Sequence, residues 1–182
     1  GCPRKPTVMP FDVDHYLASY DSTQGVLPER LAEFGQAYRD QGHLTRDQLY
    51  DLAYATSTRS AYHVEKNPRE RCVAVTEDVL TVDADFSKIQ LLTGLSGFKA
   101  PTASAVLAAL DPATHAVVDT RVWASLERLG RLDGRKEQFD AGDYVAMVEP
   151  IREIAAETGH TAAEVGYALF AADVDQRDGR LH

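Results

Sequence analysis

Asp119 occupies a position in the sequence where a carboxylate can stabilise positive charge that develops during a reaction. Asp119 follows the apolar run His115-Ala116-Val117-Val118 and precedes Thr120-Arg121-Val122-Trp123, a pattern that predicts the start of a helix directly after it. A carboxylate held in a water-poor place can stabilise positive charge that develops in a transition state. Aspartate is also a favoured N-cap, which accepts hydrogen bonds from the backbone N–H groups two and three residues on. Asp119 is therefore a candidate catalytic residue and a candidate helix cap.

A second candidate is a tight turn that leads into a helix. Leu95-Ser96-Gly97-Phe98 contains the glycine that a tight turn needs, and Pro101 follows at a position suited to a first helical turn. A helix N-terminus directs backbone N–H groups and the positive end of the helix dipole at one point, which favours phosphate binding. The pattern fits a phosphate-binding turn, and it equally fits an ordinary hairpin of two buried helices. The small residues between positions 103 and 109 predict that the second helix packs closely on a neighbour.

The remaining candidates have weaker support. Arg59, in Ser57-Thr58-Arg59-Ser60, has three possible roles: contact with a phosphate, an ion pair with Asp119, or a solvated surface position. Trp123 has the ring to stack on a base, but its helical spacing from apolar neighbours favours the core. The histidines are scattered and show no metal-binding spacing, so we expect neither a metal nor a cofactor. The motifs of nucleotide-binding folds and serine hydrolases do not occur.

Composition limits the classes of protein that remain. The 182 residues fit one domain, and 19 Lys+Arg against 28 Asp+Glu give a net charge of −9. That balance argues against nucleic-acid binding through overall charge, so any such site must be a local basic patch. With only Cys2 and Cys72, a cysteine-rich metal site or disulfide scaffold is excluded, although one disulfide remains possible. No apolar run approaches the roughly 18 residues of a membrane span, and we expect a soluble, cytoplasmic protein.

The elements that position these residues are predicted to be helices. Helical periodicity and the placement of proline and glycine predict eight to ten short helices, and Ala116-Val117-Val118 is too short to build a sheet. We therefore predict an all-α, compact multi-helix bundle. Residues 1–27 are predicted to form an N-terminal arm with one short helix around Asp12 to Ser19, and residues 28–182 a single all-α domain that ends in a polar tail from Asp175.

Two helix starts can be assigned from capping patterns. Thr45 followed by Gln48 fits a capping box. Asp83 or Asp85 is expected to cap a later helix whose residues Phe86, Ile89, Leu92 and Leu95 point inward.

The stretch from Leu91 to Gly130 resembles the helix-hairpin-helix DNA glycosylases. The family signature is a Leu-Pro-Gly-x-Gly hairpin, a Thr-Ala helix and a Val-Asp-Thr segment that opens the next helix. Here the hairpin is Leu95-Ser96-Gly97-Phe98-Lys99, the helix begins Thr102-Ala103-Ser104, and the last element is Val118-Asp119-Thr120-Arg121-Val122. The interval of 18 residues from Pro101 to Asp119 is similar to the family's own. The resemblance covers about 40 of the 182 residues.

The resemblance implies a DNA glycosylase-like protein of base excision repair, with departures that restrict its chemistry. Lys99 replaces the second hairpin glycine, and Pro101 occupies the place of the lysine that forms a Schiff base in bifunctional members. The iron–sulfur cluster of some members lacks its cysteines here. The resemblance therefore implies a monofunctional N-glycosidic hydrolase in which Asp119 stabilises the oxocarbenium charge and orients water.

The nucleic-acid contacts implied by the family and by residue type come from the hairpin and its neighbours. They are expected at Ser96, Gly97, Phe98, Lys99, Thr102, Arg59 and Arg121. The partner is expected to be DNA, with RNA left open, and the target base must be flipped out of the duplex. The alternative is a non-catalytic helix-hairpin-helix module that binds nucleic acid or a protein. An open cleft at Asp119, with the hairpin on its rim, favours the enzyme, whereas a filled cleft favours the module.

Overall fold

The computed structural model describes residues 10–24, 26–134 and 136–180, except for the side chains of 23, 24 and 178–180. These residues are helical and contain no strand, so the all-α prediction is confirmed. The α-helices are α1 (Val13–Gln24), α2 (Val26–Gln41), α3 (Arg46–Thr56), α4 (Arg69–Asp78), α5 (Asp85–Thr93), α6 (Ala100–Leu110), α7 (Thr120–Arg128), α8 (Ala141–Thr158) and α9 (Ala162–Arg180). Two short 3-10 helices lie at Ala61–Lys66 and Val79–Thr81.

The predicted cap of α3 is confirmed, and that of α5 is wrong. The Thr45 hydroxyl accepts from the Gln48 N–H, and the Gln48 side chain accepts from the Thr45 N–H, which completes the capping box. At α5 the N-cap is Ala84, and Asp85 lies in the first turn, where its carboxylate binds Arg152 of α8 through two hydrogen bonds of 2.6 and 3.1 Å. The Asp85 carboxylate, which was expected to cap α5, is thus engaged in an ion pair with α8 instead.

Phe86 is not in the core. Asp85, Ile89 and Leu92 lie four and three residues apart, so they share the face of α5 that packs against α8. Phe86 is one residue further round the helix and is 45% exposed, contrary to the inward orientation predicted for it. Leu95, like Ile89 and Leu92, is buried as predicted.

The helices at both ends of the chain are longer than predicted and pack on each other. The helix expected around residues 12–19 extends over α1 and packs against α9. The polar residues from Asp175 onward continue α9 to Arg180 instead of forming a tail. Residues 1–9 and Gly25 of the predicted arm lie outside the described residues, and the division of the chain at residue 27 stays a prediction.

Helix α6 forms the centre of the packing. Its residues are buried except for the partly exposed Pro101, as its small side chains predict. The approach of α2 is so close that a Cβ added to Gly35 would lie 2.3 Å from the carbonyl oxygen of Ala109.

Within the described ranges, no helix is long and apolar enough to cross a membrane.

Candidate active-site cleft

A cleft of about 980 Å³ lies where several distant parts of the chain converge. Its walls come from α1, the end of α3 and the turn after it, the hairpin between α5 and α6, the segment before α7, the loop before α8, and α9. The lining residues are Tyr20, Leu27, Ala55, Thr56, Ser57, Ser60, His63, Gly97, Phe98, Lys99, Pro101, Thr102, Val117, Val118, Asp119, Val122, Glu137, Gln138, Phe139, Gly166, Tyr167 and Phe170.

Asp119 lies in this cleft and is also the N-cap of α7. Its Oδ1 accepts from the Val122 N–H at 2.9 Å. Burial raises the pKa of the Asp119 carboxyl, and the hydrogen bonds from the Val122 and Arg121 backbone oppose that rise. Asp119 in turn contributes, after burial, to raising the pKa of the Tyr20 hydroxyl to about 12. The two explanations of Asp119 given by the sequence are therefore compatible, since one oxygen caps the helix in a side chain that also faces the cleft.

The segment before Asp119 is held by two close contacts. The Val118 N–H donates to the Ser104 hydroxyl at 3.0 Å, and that hydroxyl donates to the Pro101 carbonyl at 2.6 Å. On its other side, a Cβ added to Gly166 of α9 would lie 2.9 Å from the Ala116 Cβ. The segment that ends at Asp119 is thus held between α6 and α9.

The hairpin, Gly94 to Lys99, connects α5 to α6 and is anchored on the 3-10 helix Ala61–Lys66. Gly97 has a φ of +91°, and a Cβ added there would lie 2.9 Å from a methyl carbon of Val64, so both conformation and space require glycine. The Asn67 side chain holds the turn: its Oδ1 accepts from the Ser96 N–H at 2.8 Å and its Nδ2 donates to the Ser96 carbonyl at 2.9 Å. The hairpin is therefore a fixed element of the cleft.

Lys99 is the lysine of the cleft lining, and it lies at the N-cap of α6. Its side chain is exposed and has no ion-pair partner among the described residues. Its charge is therefore available at the end of α6 where backbone N–H groups point outward. This combination suits an anionic ligand.

An aromatic wall faces the cleft from α1 and α9. The ring centroid of Tyr20 lies 5.0 Å from that of Tyr167 and 5.7 Å from that of Phe170. The sequence gives no sign of this wall, because Tyr20 belongs to the segment interpreted as an arm and the other two residues lie about 150 residues away along the chain. Their shared feature, aromatic rings on two amphipathic helices, does not by itself distinguish a cleft from a core.

The structure brings most of the predicted site residues together. Asp119, Gly97, Phe98, Lys99 and Thr102 line the cleft, although the Phe98 and Thr102 side chains are largely buried.

Three other predicted residues lie outside the cleft lining. Ser96 is exposed on the hairpin, and Arg59 is exposed between the lining residues Ser57 and Ser60 without an ion pair to Asp119. Arg121 pairs with Asp173 instead. What these residues bind stays a prediction.

Residues that the sequence left open have structural roles. Trp123 is buried, and its indole N–H donates to the Gly134 carbonyl at 2.7 Å. Cys72 is buried with a free thiol, and Cys2 lies outside the described residues.

Over the described ranges, no group of three or more His, Cys, Asp or Glu side chains is arranged to hold a metal ion.

Comparison with known proteins finds a similar structure but no similar sequence. No protein-family model and no curated protein sequence matches the chain. A solved structure, the Methanocaldococcus jannaschii 8-oxoguanine glycosylase/lyase in complex with a 15mer DNA containing 8-oxoguanine, matches with a TM-score of 0.51 and 14% sequence identity. The match covers 90% of this chain and 89% of the other. The chain is therefore similar in fold, over most of its length, to a helical DNA glycosylase.

Proposed function

We propose that the protein is a monofunctional DNA glycosylase, which hydrolyses the N-glycosidic bond of a base flipped out of DNA. The observation that carries this proposal is the cleft itself: a half-buried carboxylate, Asp119, lies in an open cavity that also contains hairpin residues Gly97, Phe98 and Lys99. An open cleft of this kind is the feature that favours the enzyme over a non-catalytic module. The fold shared with a glycosylase supports the same assignment.

The proposed reaction uses Asp119 as an electrostatic catalyst. The bond between C1′ and the base nitrogen breaks, and the electron pair leaves with the base. Positive charge then develops on C1′ and the ring oxygen, where the Asp119 carboxylate stabilises it, because charge interactions are strong in a water-poor site. Water adds to C1′ and loses a proton to Asp119, and the base anion takes up a proton from solvent while Asp119 returns its proton to solvent. The products are a neutral free base and an abasic sugar in an intact strand.

The aromatic wall gives the cleft a surface for an extruded base. Tyr20 and Tyr167 are only 5% and 8% exposed and support the wall, so the partly exposed Phe170 is the ring that a base can reach. Stacking on an aromatic side chain contributes about 1–3 kcal/mol per base. A flipped base otherwise loses its stacking in the duplex, which costs a few kcal/mol. The wall therefore offsets part of the cost of extrusion.

Pro101 restricts the chemistry to hydrolysis. It lines the cleft, at the place where the resemblance to bifunctional glycosylases puts a Schiff-base lysine. Proline within a chain has no free amine, so this position cannot form an imine with C1′. We therefore expect base release without strand cleavage.

The alternative, a non-catalytic module that binds nucleic acid or protein, is favoured by the net charge of −9 and by the replacement of the second hairpin glycine by Lys99. A panel of duplexes that carry different damaged bases decides between the two. The full chain is incubated in excess over each duplex, the released base is measured by mass spectrometry, and the strand is examined with and without alkali. Release of a free base from one duplex supports the glycosylase, and binding to the duplexes without release from any of them supports the module.

Borohydride trapping tests the role of Pro101 in the same reactions. We expect no covalent protein–DNA adduct. An adduct that disappears in Lys99→Ala would show that Lys99 supplies an amine, and it would refute the assignment as a monofunctional enzyme.

A further inference from the structure

A cluster of three arginines surrounds one buried carboxylate beside the cleft. Asp173 of α9 is wholly buried and pairs with Arg128 at 2.6 Å, with Arg177 at 2.9 Å and with Arg121 at 3.3 Å. In the part of the chain that the structure describes, these arginines pair with no other carboxylate. We call this group the Asp173 cluster. It carries two more positive charges than negative ones, on a chain whose net charge is −9.

The excess charge is more than the buried carboxylate requires. A buried carboxylate needs a partner, and one well-placed guanidinium satisfies it. The side chains of Arg121, Arg128 and Arg177 are 36%, 29% and 50% exposed. Each guanidinium has five N–H donors in a planar fork, so donors remain on all three for a ligand in solvent.

A comparison with Arg131 makes the difference clear. Arg131 is 31% exposed, and it pairs with Glu153 at 2.7 Å and with Glu157 at 3.6 Å, both on α8. One cation is there balanced by two anions, which is the arrangement expected of a structural ion pair. The Asp173 cluster has the reverse balance.

The cluster lies at the contact between α7 and α9, next to the cleft. Arg121 is two residues after Asp119, and its guanidinium carbon lies 5.5 Å from the ring centroid of Phe170, which lines the cleft. Arg128 lies seven residues further along α7, which at about 1.5 Å per residue places its Cα about 10 Å away along the helix axis. The three arginines thus come from different positions on α7 and α9, and their guanidinium groups converge on the Asp173 carboxylate beside the cleft.

We propose that the Asp173 cluster binds backbone phosphates of the DNA strand next to the flipped nucleotide. This inference rests on the proposed function, since the strand is the substrate. Guanidinium groups match phosphate oxygens in geometry as well as in charge. The buried Asp173 carboxylate holds the three guanidinium groups in place through its ion pairs. The arginines therefore lose less side-chain freedom when phosphate binds. The hairpin with Lys99 and the Asp173 cluster then hold the strand at two separate places on the cleft.

The test is the salt dependence of binding to a duplex with a tetrahydrofuran abasic-site analogue, measured by fluorescence anisotropy. The slope of log K against log salt falls by about 0.9 for each phosphate that the protein no longer neutralises. We expect the double variant Arg128→Gln/Arg177→Gln to lower the slope by about 1–2 and to weaken binding at low salt. The double variant Arg128→Lys/Arg177→Lys keeps the charge and should keep most of the slope. Arg131→Gln is the matched control and should have the wild-type slope.

An unchanged slope in the folded Arg128→Gln/Arg177→Gln variant overturns the proposal, and so does a wild-type chain that does not bind the duplex. Thermal melts report whether each variant is folded. If the double glutamine variant does not fold, Arg177→Gln alone, at the most exposed of the three positions, should lower the slope by about 0.9. The readout is binding, so a failure here with base release intact refutes the cluster alone. Binding that depends on the cluster, without base release, refutes the glycosylase alone.

Discussion

The substitution Asp119→Asn should leave the protein as stable as the wild type, or more stable, at neutral pH. The asparagine Oδ1 can accept from the Val122 N–H as the carboxylate does at 2.9 Å. Asparagine and aspartate rank together at the N-cap position, so the capping contribution changes little. The substitution also removes a charge that burial disfavours, which is why the pKa of Asp119 is raised. We expect the free energy of unfolding to stay the same or to rise by up to about 1 kcal/mol, a gain of up to about 4 °C in Tm.

The pH dependence of this difference has a definite sign. A raised pKa means that the folded state binds the proton more tightly than the unfolded chain, so ionisation of Asp119 costs stability. Below the ordinary pKa of 3.8 the carboxyl is protonated in both states, and the cost is absent. The advantage of Asp119→Asn over the wild type should therefore appear as the pH rises above 3.8 and become constant above the raised pKa.

Urea unfolding of both proteins at a series of pH values measures this difference. Asp140→Asn is the matched control, because Asp140 caps α8 by the same 2.9 Å bond, to the Asp143 N–H, but is exposed. Removal of the charge in Asp140→Asn should lower the free energy of unfolding by about 0.3–1 kcal/mol, since a negative charge at a helix N-terminus is stabilising. A loss of more than about 1 kcal/mol in Asp119→Asn at pH 7, or a difference that does not change with pH, would refute this account of Asp119.

Four other substitutions test the surroundings of the site. Ser104→Ala leaves a buried N–H unpaired and should cost about 1–3 kcal/mol of unfolding free energy; it should also slow single-turnover base release without a change in duplex affinity. Lys99→Glu should weaken duplex binding in anisotropy titrations more than Arg39→Glu on the exposed face of α2 does, and equal losses would contradict a role for the hairpin. Gly166→Ala should cost about 1–3 kcal/mol through overpacking, and an unchanged Tm would show that the contact relaxes. Burial lowers the pKa of His115 to about 4, so wild-type stability should rise between about pH 4 and 6.5, and His115→Gln should flatten that rise in urea titrations.

Local chemistry made part of the fold predictable. The capping boxes and proline positions lie within four residues of the helix starts that they determine, so Thr45 and Asp119 could be assigned from their neighbours alone. The orientation of Phe86 could not, because its spacing of three residues from Ile89 also fits a buried helix face, and the packing of α5 on α8 decides which side chains are covered.

The candidate site could likewise be predicted from the sequence only in part. The hairpin and Asp119 lie within one stretch of the sequence, and their types and interval indicated the chemistry. The aromatic wall joins Tyr20 to Tyr167 and Phe170, and it exists only because α1 folds against α9. The Asp173 cluster was missed for a related reason: an aspartate in an acidic chain gives no sign that three arginines surround it.

Single-turnover base release by the wild type, Asp119→Asn and Asp140→Asn tests the central claim most directly. The substrate is the duplex that the damaged-base panel identifies, and the strand is examined with and without alkali. A preorganised electrostatic group typically contributes about 3–4 kcal/mol to catalysis, so Asp119→Asn should release the base about 10²–10³ times more slowly, with duplex affinity unchanged. Asp140→Asn should react at the wild-type rate, and the strand should remain intact until alkali is added. Base release by Asp119→Asn at the wild-type rate would contradict the catalytic role of Asp119.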